Sequence, residues 1–358
     1  MSAPTVTQND SFLATQQRDL PNWAPWAAAI GSLGVAAAFT WLRTLPDADA
    51  AFSPVGALVL AAVLFMFALP IWSRIVEGPR RAMDRRATSL GSAAFALALI
   101  PLISLLWIVL ARGLKMMSWS FLTTDMTGIF GEMTEGGVSH AIVGTVLITL
   151  AAAVISIPLG LLTAIYLVEY GRGPLAKAIT FLVDVMTGIP SIVAGLFAFA
   201  LFTMFFGPAY RAGLMGAVAL ALLMTPVVIR SSEEMLRLVP NELREASLAL
   251  GVPKWLTVIK VVLRTSAAGI VTGIMLAIAR VIGETAPLLI AVGYIDRMNE
   301  DLFSGRMMTL PVYAYRQYAQ GGIGIDRAWA AALTLIVIVM LLNLIARMVS
   351  RYFAPKAR

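Results

Sequence analysis

Residues 240–264 read PNELREASLALGVPKWLTVIKVVLR, a polar and basic stretch between two long apolar blocks. The pattern predicts a short helix, a turn and a second helix. Asn241 is the expected N-cap, Gly251 suits the left-handed position that closes a helix, and Pro253 stands where helices stop. The stretch is too polar to cross a bilayer and too regular for a loose linker.

Both predicted helices are amphipathic. Leu243, Ala246 and Leu250 share one face of the first helix. The second helix carries an apolar stripe made of Trp255, Val258, Ile259 and Val262. A helix-turn-helix between two membrane spans fits a groove in a partner protein. The alternative from the pattern alone is an amphipathic hairpin on lipid headgroups.

The composition is that of a membrane protein. The 358 residues are 59% hydrophobic and only 13% charged, with a mean hydropathy of +0.84. One soluble core cannot bury so many apolar side chains, so we expect an all-α polytopic membrane protein. Without cysteine, disulfides and thiolate metal sites are excluded, and a lone histidine, His140, argues against a His-built metal or catalytic site. No cofactor is expected.

Charge-poor runs of span length predict about eight transmembrane helices. They lie at residues 20–42, 50–73, 89–111, 141–168, 178–206, 212–229, 267–292 and 328–346. The first run lacks the basic leader of a signal peptide and is interpreted as a retained anchor.

The basic residues are distributed unevenly between these spans. Alternate assignment places 18 of the 27 Lys and Arg on the side of both termini, including the arginines of residues 74–86 and the basic residues of 230–264. This asymmetry predicts that both termini and both segments are cytoplasmic, and it explains the net charge of +7 without nucleic acid. The outward segments 112–140 and 294–327 are long enough to contain short helices. They could be ordinary solvated loops or a surface that meets a substrate-delivering protein.

The seventh predicted span contains Arg280 and, four residues later, Glu284. On one helix they would share a face and could pair, and Pro287 would kink the helix just beyond them. Charged groups at this depth normally face a bundle interior or a wet cavity. Two interpretations remain open: an ion pair that locks helices together, or a pore-lining guanidinium that offers forked donors to an oxyanion. Gly269 and Gly273 on the same span predict close helix packing.

Two further charged residues lie near span ends. Arg230 could be a positive-inside flank or part of a pathway. Asp184 is more simply a carboxylate partnered by a neighbouring helix than a pathway residue.

Residues 245–263 resemble the EAA loop of ABC importer permeases, since Glu245, Ala246, Gly251 and Leu263 match its signature. Ser247, Val261 and Arg264 depart from its third Ala, its Ile and its Pro. Five further segments resemble the PstA-type phosphate permeases and together cover roughly residues 89–350. They are residues 140–145 (HAIVGT), 169–171 (EYG), 188–195 (GIPSIVAG), 225–230 (TPVVIR) and 280–289 (RVIGETAPLL).

The resemblance implies a six-helix type I ABC importer permease core preceded by two extra helices. We therefore divide the chain into a cytosolic tail (1–19), a two-helix extension with a basic cytosolic loop (20–88), a permease core (89–352) with the coupling loop 230–264, and a second tail (353–358).

The resemblance also implies the site residues. Those of the translocation pathway are Arg280, Glu284, Thr285 and Arg230, and those that couple to the ATPase are Glu245, Ala246, Ser247 and Gly251. The implied partners are an ABC ATPase dimer, a second, PstC-like permease, an external phosphate-binding protein, phosphate and the lipid bilayer.

The chain has no Gly-x-x-x-x-Gly-Lys-Ser/Thr loop for ATP, so ATP hydrolysis would belong to partner subunits. The predicted function is the permease subunit of an ATP-driven phosphate importer. Alternatives are a permease for another oxyanion and a self-sufficient secondary transporter or channel. A membrane enzyme would have little catalytic machinery here.

Overall fold

The computed structural model describes residues 19–45 and 52–353, with side chains up to residue 348. The two predicted tails therefore lie almost wholly outside the described residues. Contacts within the chain divide it into two units, Met1–Ile108 and Val109–Arg358, and the boundary falls inside one long helix. The division at residue 89 stays a prediction.

Unit 1 contains helices α1 (Ala24–Thr44) and α2 (Pro54–Val76) and most of α3 (Pro79–Met116). The α2 helix begins where the Ser53 hydroxyl accepts the Gly56 N–H at 3.1 Å. An edge-to-face contact between Trp23 and Trp72, 6.2 Å between ring centres, joins the start of α1 to the end of α2.

The basic loop predicted at residues 74–86 is mostly helical. Arg74 lies in the last turn of α2, and the following four arginines lie in the first turns of α3, so only Glu77 and Gly78 separate the two helices.

Unit 2 is a helical bundle around a buried central helix. Its first part comprises α4 (Trp119–Thr123), α5 (Ser139–Ile165) with a π-helical turn (Tyr166–Tyr170), α6 (Pro174–Thr187), α7 (Ser191–Phe206) and α8 (Gly213–Arg237). Its second part comprises α9 (Asn241–Ala249), α10 (Lys254–Thr257), a second π-helical turn (Val258–Val262), α11 (Leu263–Val281), α12 (Ala286–Ala291), α13 (Leu310–Gln320) and α14 (Ile323–Phe353). Because backbone groups in lipid must bond within their own segment, helices are the expected result for so apolar a chain.

Seven helices in the described part of the chain are long and apolar enough to span a membrane. The count becomes eight if α6 and α7, which meet at a 108° bend, form one span. The prediction of about eight spans is thus confirmed. The fifth predicted span, 178–206, is sharply bent, because the chain breaks at Gly188–Pro190.

Small residues allow helices α8 and α11 to pack closely. A Cβ added at Gly273 would lie 2.6 Å from the Ser231 side chain, and one at Gly269 would lie 2.3 Å from the Met235 sulfur. The close packing predicted for this glycine pair is confirmed.

The two segments predicted to face outward contain short helices as expected, α4 and α13. They are tied together, because the Arg327 guanidinium donates to the carbonyls of Met133 and Glu135. The Glu132 carboxylate accepts the Ile323 N–H at the start of α14.

Candidate functional site

The predicted helix-turn-helix is present, with α9 as its first arm. The helix follows Pro240, and the Asn241 side chain does not cap it, so the predicted N-cap was wrong. Its end is as predicted, because Gly251 has φ +77°, a conformation that disfavours residues with a Cβ. The Val252 N–H closes the turn on the Ser247 carbonyl at 3.2 Å.

The second arm is not a separate surface helix. From Lys254 it runs through the second π-helical turn into α11, so the span begins at Lys254 rather than near residue 267. The predicted apolar stripe is split: Val258 and Val262 are buried, whereas Trp255 and Ile259 are more than half exposed.

The side of α9 that faces its own chain is polar. Arg244 Nε donates to Glu169 Oε1 at 3.0 Å, and its terminal nitrogens donate to the carbonyls of Val239 at 2.5 Å and Leu236 at 2.9 Å. These two carbonyls lie at and just beyond the end of α8, so one guanidinium joins α9 to both α8 and the end of α5. The Ser247 and Thr257 hydroxyls are 2.9 Å apart and bond the two arms of the turn.

The rest of the α9 surface is open and carries both apolar and charged residues. Leu250 is 84% exposed and Leu243 is 42% exposed, with Glu245 and Ala246 also exposed beside them. Three of the four predicted coupling residues, Glu245, Ala246 and Gly251, are thus accessible, while Ser247 faces its own chain.

The predicted pathway residues Arg280, Glu284 and Thr285 lie at a break between two helices. The α11 helix ends at Val281, and four residues, Ile282 to Thr285, separate it from the start of α12 at Ala286. Arg280 and Glu284 therefore do not share a helical face, and no ion pair joins them among the described residues. The predicted face-sharing pair was wrong.

The proline near this break starts a helix instead of kinking one. Pro287 occupies the first turn of α12, where its missing N–H removes no helical bond. The resulting geometry leaves Arg280 exposed and Glu284 and Thr285 half-buried.

The α12 helix is fixed against α7. A Cβ added at Gly195 would lie 2.6 Å from the Pro287 Cα, so the two backbones touch. Two of the segments that resemble the PstA-type permeases, 188–195 and 280–289, are therefore in contact.

Arg230 lies apart from this break, in a network at the far end of α8. Its guanidinium pairs with Asp184 on α6 and, at 2.8 Å, with Glu233, while Arg237 contacts the other Glu233 oxygen at 2.5 Å. The expectation that Asp184 has a partner on a neighbouring helix is confirmed. Arg230 is accordingly neutralised by two carboxylates.

Sequence reasoning did not assign Arg244, Glu169, Lys254 or Glu233 to the site. Glu233 could have been found, because Arg230, Glu233 and Arg237 have the three- and four-residue spacing of pairs on one helical face. Lys254 donates to the Glu169 carbonyl and lies 4.9 Å from the centre of the Tyr170 ring. No local pattern could connect Glu169 with Arg244, which are 75 residues apart.

The chain is similar to known transport proteins. The family model described as "Binding-protein-dependent transport system inner membrane component" matches residues 156–358. A phosphate transport system permease protein PstA 1 of Mycobacterium tuberculosis is 48% identical over 291 residues, which are 81% of this chain and 94% of that protein.

Two other relatives carry the name phosphate transport system permease protein PstA. That of Mycobacterium leprae is 46% identical over 76% of this chain and 90% of its own length. That of Yersinia pestis is 40% identical over 77% of this chain and 92% of its own length.

Proposed function

The chain belongs to the binding-protein-dependent inner-membrane transport components and among them to the PstA-type permeases, and from this premise we propose that it is the permease subunit of an ATP-driven phosphate importer. It is a multi-pass inner membrane protein. Identity of 40 to 48% over at least 90% of the length of the three relatives supports phosphate as the substrate. The subunit would form half of the translocation pathway.

One observation carries the mechanism: a single helical run connects the exposed helix α9 region to the break at Arg280. It extends from Lys254 to Val281, 28 residues, or about 42 Å at 1.5 Å per residue. A displacement of α9 therefore reaches the membrane interior along one continuous element.

A separate ABC ATPase dimer would bind the exposed face of α9. Leu250 and Leu243 supply apolar area, and Glu245 and Ala246 lie beside them. Because Gly251 needs its left-handed backbone to end the helix, it sets the shape of that face. The Arg244 contacts keep α9 attached to α5 and α8 when the ATPase moves it.

Arg280 would line the pathway for the anion. It is exposed and has no carboxylate partner among the described residues, so its forked donors are available to a phosphate oxygen. Glu284 and Thr285, just past the break, would complete this part of the path. Arg230, which two carboxylates neutralise, would serve as a positive group at the cytosolic mouth only when those pairs open.

The remaining partners would be a second, PstC-like permease that completes the pore and an external binding protein that delivers phosphate. Both termini and α9 would be cytoplasmic, in agreement with the excess of Lys and Arg on that side. ATP-driven closure of the ATPase dimer would switch the cavity from outward to inward access.

Reconstitution tests this function. We expect proteoliposomes that contain the four kinds of subunit to accumulate radiolabelled phosphate only with ATP, and to lose uptake when the ATPase is omitted. Excess sulfate should compete weakly. Uptake by this chain alone under an ion gradient would instead establish a secondary transporter, and preferred uptake of another oxyanion would refute phosphate as the substrate.

A further inference from the structure

Unit 1 contains an apolar cleft of about 440 Å³ between its three helices. Pro25, Trp26 and Leu33 line it from α1, and Leu58 and Phe65 from α2. The α3 side consists of small residues and one larger one, Ser92, Ala93, Ala96 and Ile100. From Ser92 to Ile100 the lining residues of α3 extend over about 12 Å of the helix axis.

Arginines stand at one end of this cleft. Arg86 precedes Ala93 by seven residues, or about two helical turns, so both lie on the same face of α3. Arg85 lies about 80° around the helix axis from Ala93, in the direction opposite to Arg86. Arg86 is exposed and pairs with no carboxylate among the described residues. The cleft thus has a cationic end, roughly 9 Å from its nearest lining residue on α3.

The turn between α2 and α3 holds the arginines in place. The buried Glu77 carboxylate accepts the Ser73 hydroxyl at 2.6 Å and the Leu20 N–H at 2.9 Å, and contacts Arg85 at 3.4 Å. Burial alone would raise the pKa of Glu77, but these hydrogen bonds and Arg85 outweigh it and lower that pKa below its ordinary value. The ionised carboxylate therefore pairs with Arg85, whereas Arg86 has no carboxylate partner among the described residues.

The aromatic residues place this end of unit 1 at a membrane surface. Trp26 is 74% exposed although it lines the cleft, and the Trp23–Trp72 pair lies next to it. Tryptophan is enriched where hydrocarbon meets headgroups. An apolar slot below an interfacial cation matches an amphiphile with an anionic head.

We propose that this cleft binds one acyl chain of an anionic phospholipid, whose phosphate group contacts Arg86 and, secondarily, Arg85. The cleft is almost entirely apolar, which free phosphate could not fill, whereas a phospholipid satisfies both the slot and the arginines. The site lies wholly within unit 1, so it does not depend on the transport function.

Native mass spectrometry of the full-length protein, released from nanodiscs with equal phosphatidylglycerol and phosphatidylcholine of identical acyl chains, tests the proposal. We expect phosphatidylglycerol to be retained preferentially. Arg86→Gln should lower that preference about five-fold, the worth of one arginine at an anionic surface. The matched control is Arg80→Gln, an equal charge change in the same helix but roughly 140° around the axis from Ala93, and it should leave the preference unchanged.

A second variant tests the contribution of the apolar cleft independently of the arginine charges. Ala96→Phe should fill the cleft and reduce retention of both lipids while all arginines remain. Excess inorganic phosphate should displace neither. Equal effects of the two arginine substitutions, retention unaffected by Ala96→Phe, or displacement by inorganic phosphate would each overturn the proposal.

Discussion

The α9 region and the break between α11 and α12 lie at opposite ends of one helical run. The arginines at these two places differ in their hydrogen-bond partners. Arg244 is saturated, because it bonds one carboxylate and two carbonyls. Arg280 is exposed and no carboxylate pairs with it in the described part of the chain. A saturated guanidinium holds two elements together, whereas an unsaturated one is available to a ligand that arrives later.

The comparison also separates two kinds of surface. On α9, Arg244 and Ser247 bond to their own chain. Leu243 and Leu248 are exposed, as is the charged Glu245. Exposed leucines beside charged residues fit a surface that another protein covers. At the break, by contrast, the exposed side chain is that of the charged Arg280.

Arg244→Ala removes the guanidinium whose donors are all used, and it should have the largest effect of the four substitutions. It would leave the Glu169 carboxylate, 7% exposed, without its cation. We expect a loss of about 3 kcal/mol in stability, measured by thermal unfolding of the purified complex. Arg237→Ala is the control, because that side chain is 67% exposed and its partner Glu233 keeps Arg230. Equal losses in the two variants would show that the Arg244 contacts do not hold α9 to α5 and α8.

Arg280→Gln removes the guanidinium that has no carboxylate partner among the described residues. ATP-dependent phosphate uptake should fall about hundred-fold, because the fork loses its charge where the anion passes, equivalent to roughly 2.7 kcal/mol. The assembled complex should elute unchanged from a sizing column, and Arg280→Lys should keep partial uptake. Dissociation of the complex would show that the residue is structural.

Gly251→Val tests whether the turn after α9 sets the shape of the exposed surface. A β-branched residue at φ +77° costs about 1 to 2 kcal/mol of local strain, which should distort the exposed face and weaken ATPase co-purification. Membrane insertion should stay normal. Gly251→Asn is the matched variant, because asparagine tolerates this conformation, and it should retain the ATPase. Undiminished co-purification of the valine variant would remove the docking role.

Ser247→Ala has the smallest expected effect, about 1 kcal/mol of stability, because it removes one hydrogen bond of 2.9 Å to Thr257. The double variant with Thr257→Val should cost less than the sum of the two single ones, since neither hydroxyl is then left alone. Strict additivity in thermal unfolding would mean that the hydroxyls do not interact.

Much of this architecture follows from the sequence, and the errors have physical causes. Apolar runs located the spans because hydrocarbon leaves the backbone no other choice. The four-residue spacing of Arg280 and Glu284 suggested one helix, but Gly283 and Pro287 are also the residues that end one helix and start the next. Spacing alone could not distinguish these outcomes.

The faces of α9 show a second limit. The sequence correctly predicted that Leu243 and Leu250 lie on one side, but amphipathicity does not say which side meets the chain itself. That depended on Glu169 at the end of α5, a contact between segments 75 residues apart in sequence.

The π-helical turns at Tyr166–Tyr170 and Val258–Val262 lie on the two spans next to α9. In such a turn hydrogen bonds skip one residue more than in an α-helix, so each accommodates a single-residue insertion without unwinding its span. Past the insertion, every side chain is rotated by roughly 100° relative to an unbroken helix. Removal of one residue from Val258–Val262 would therefore leave the span intact but re-aim everything beyond it, including the guanidinium at its far end.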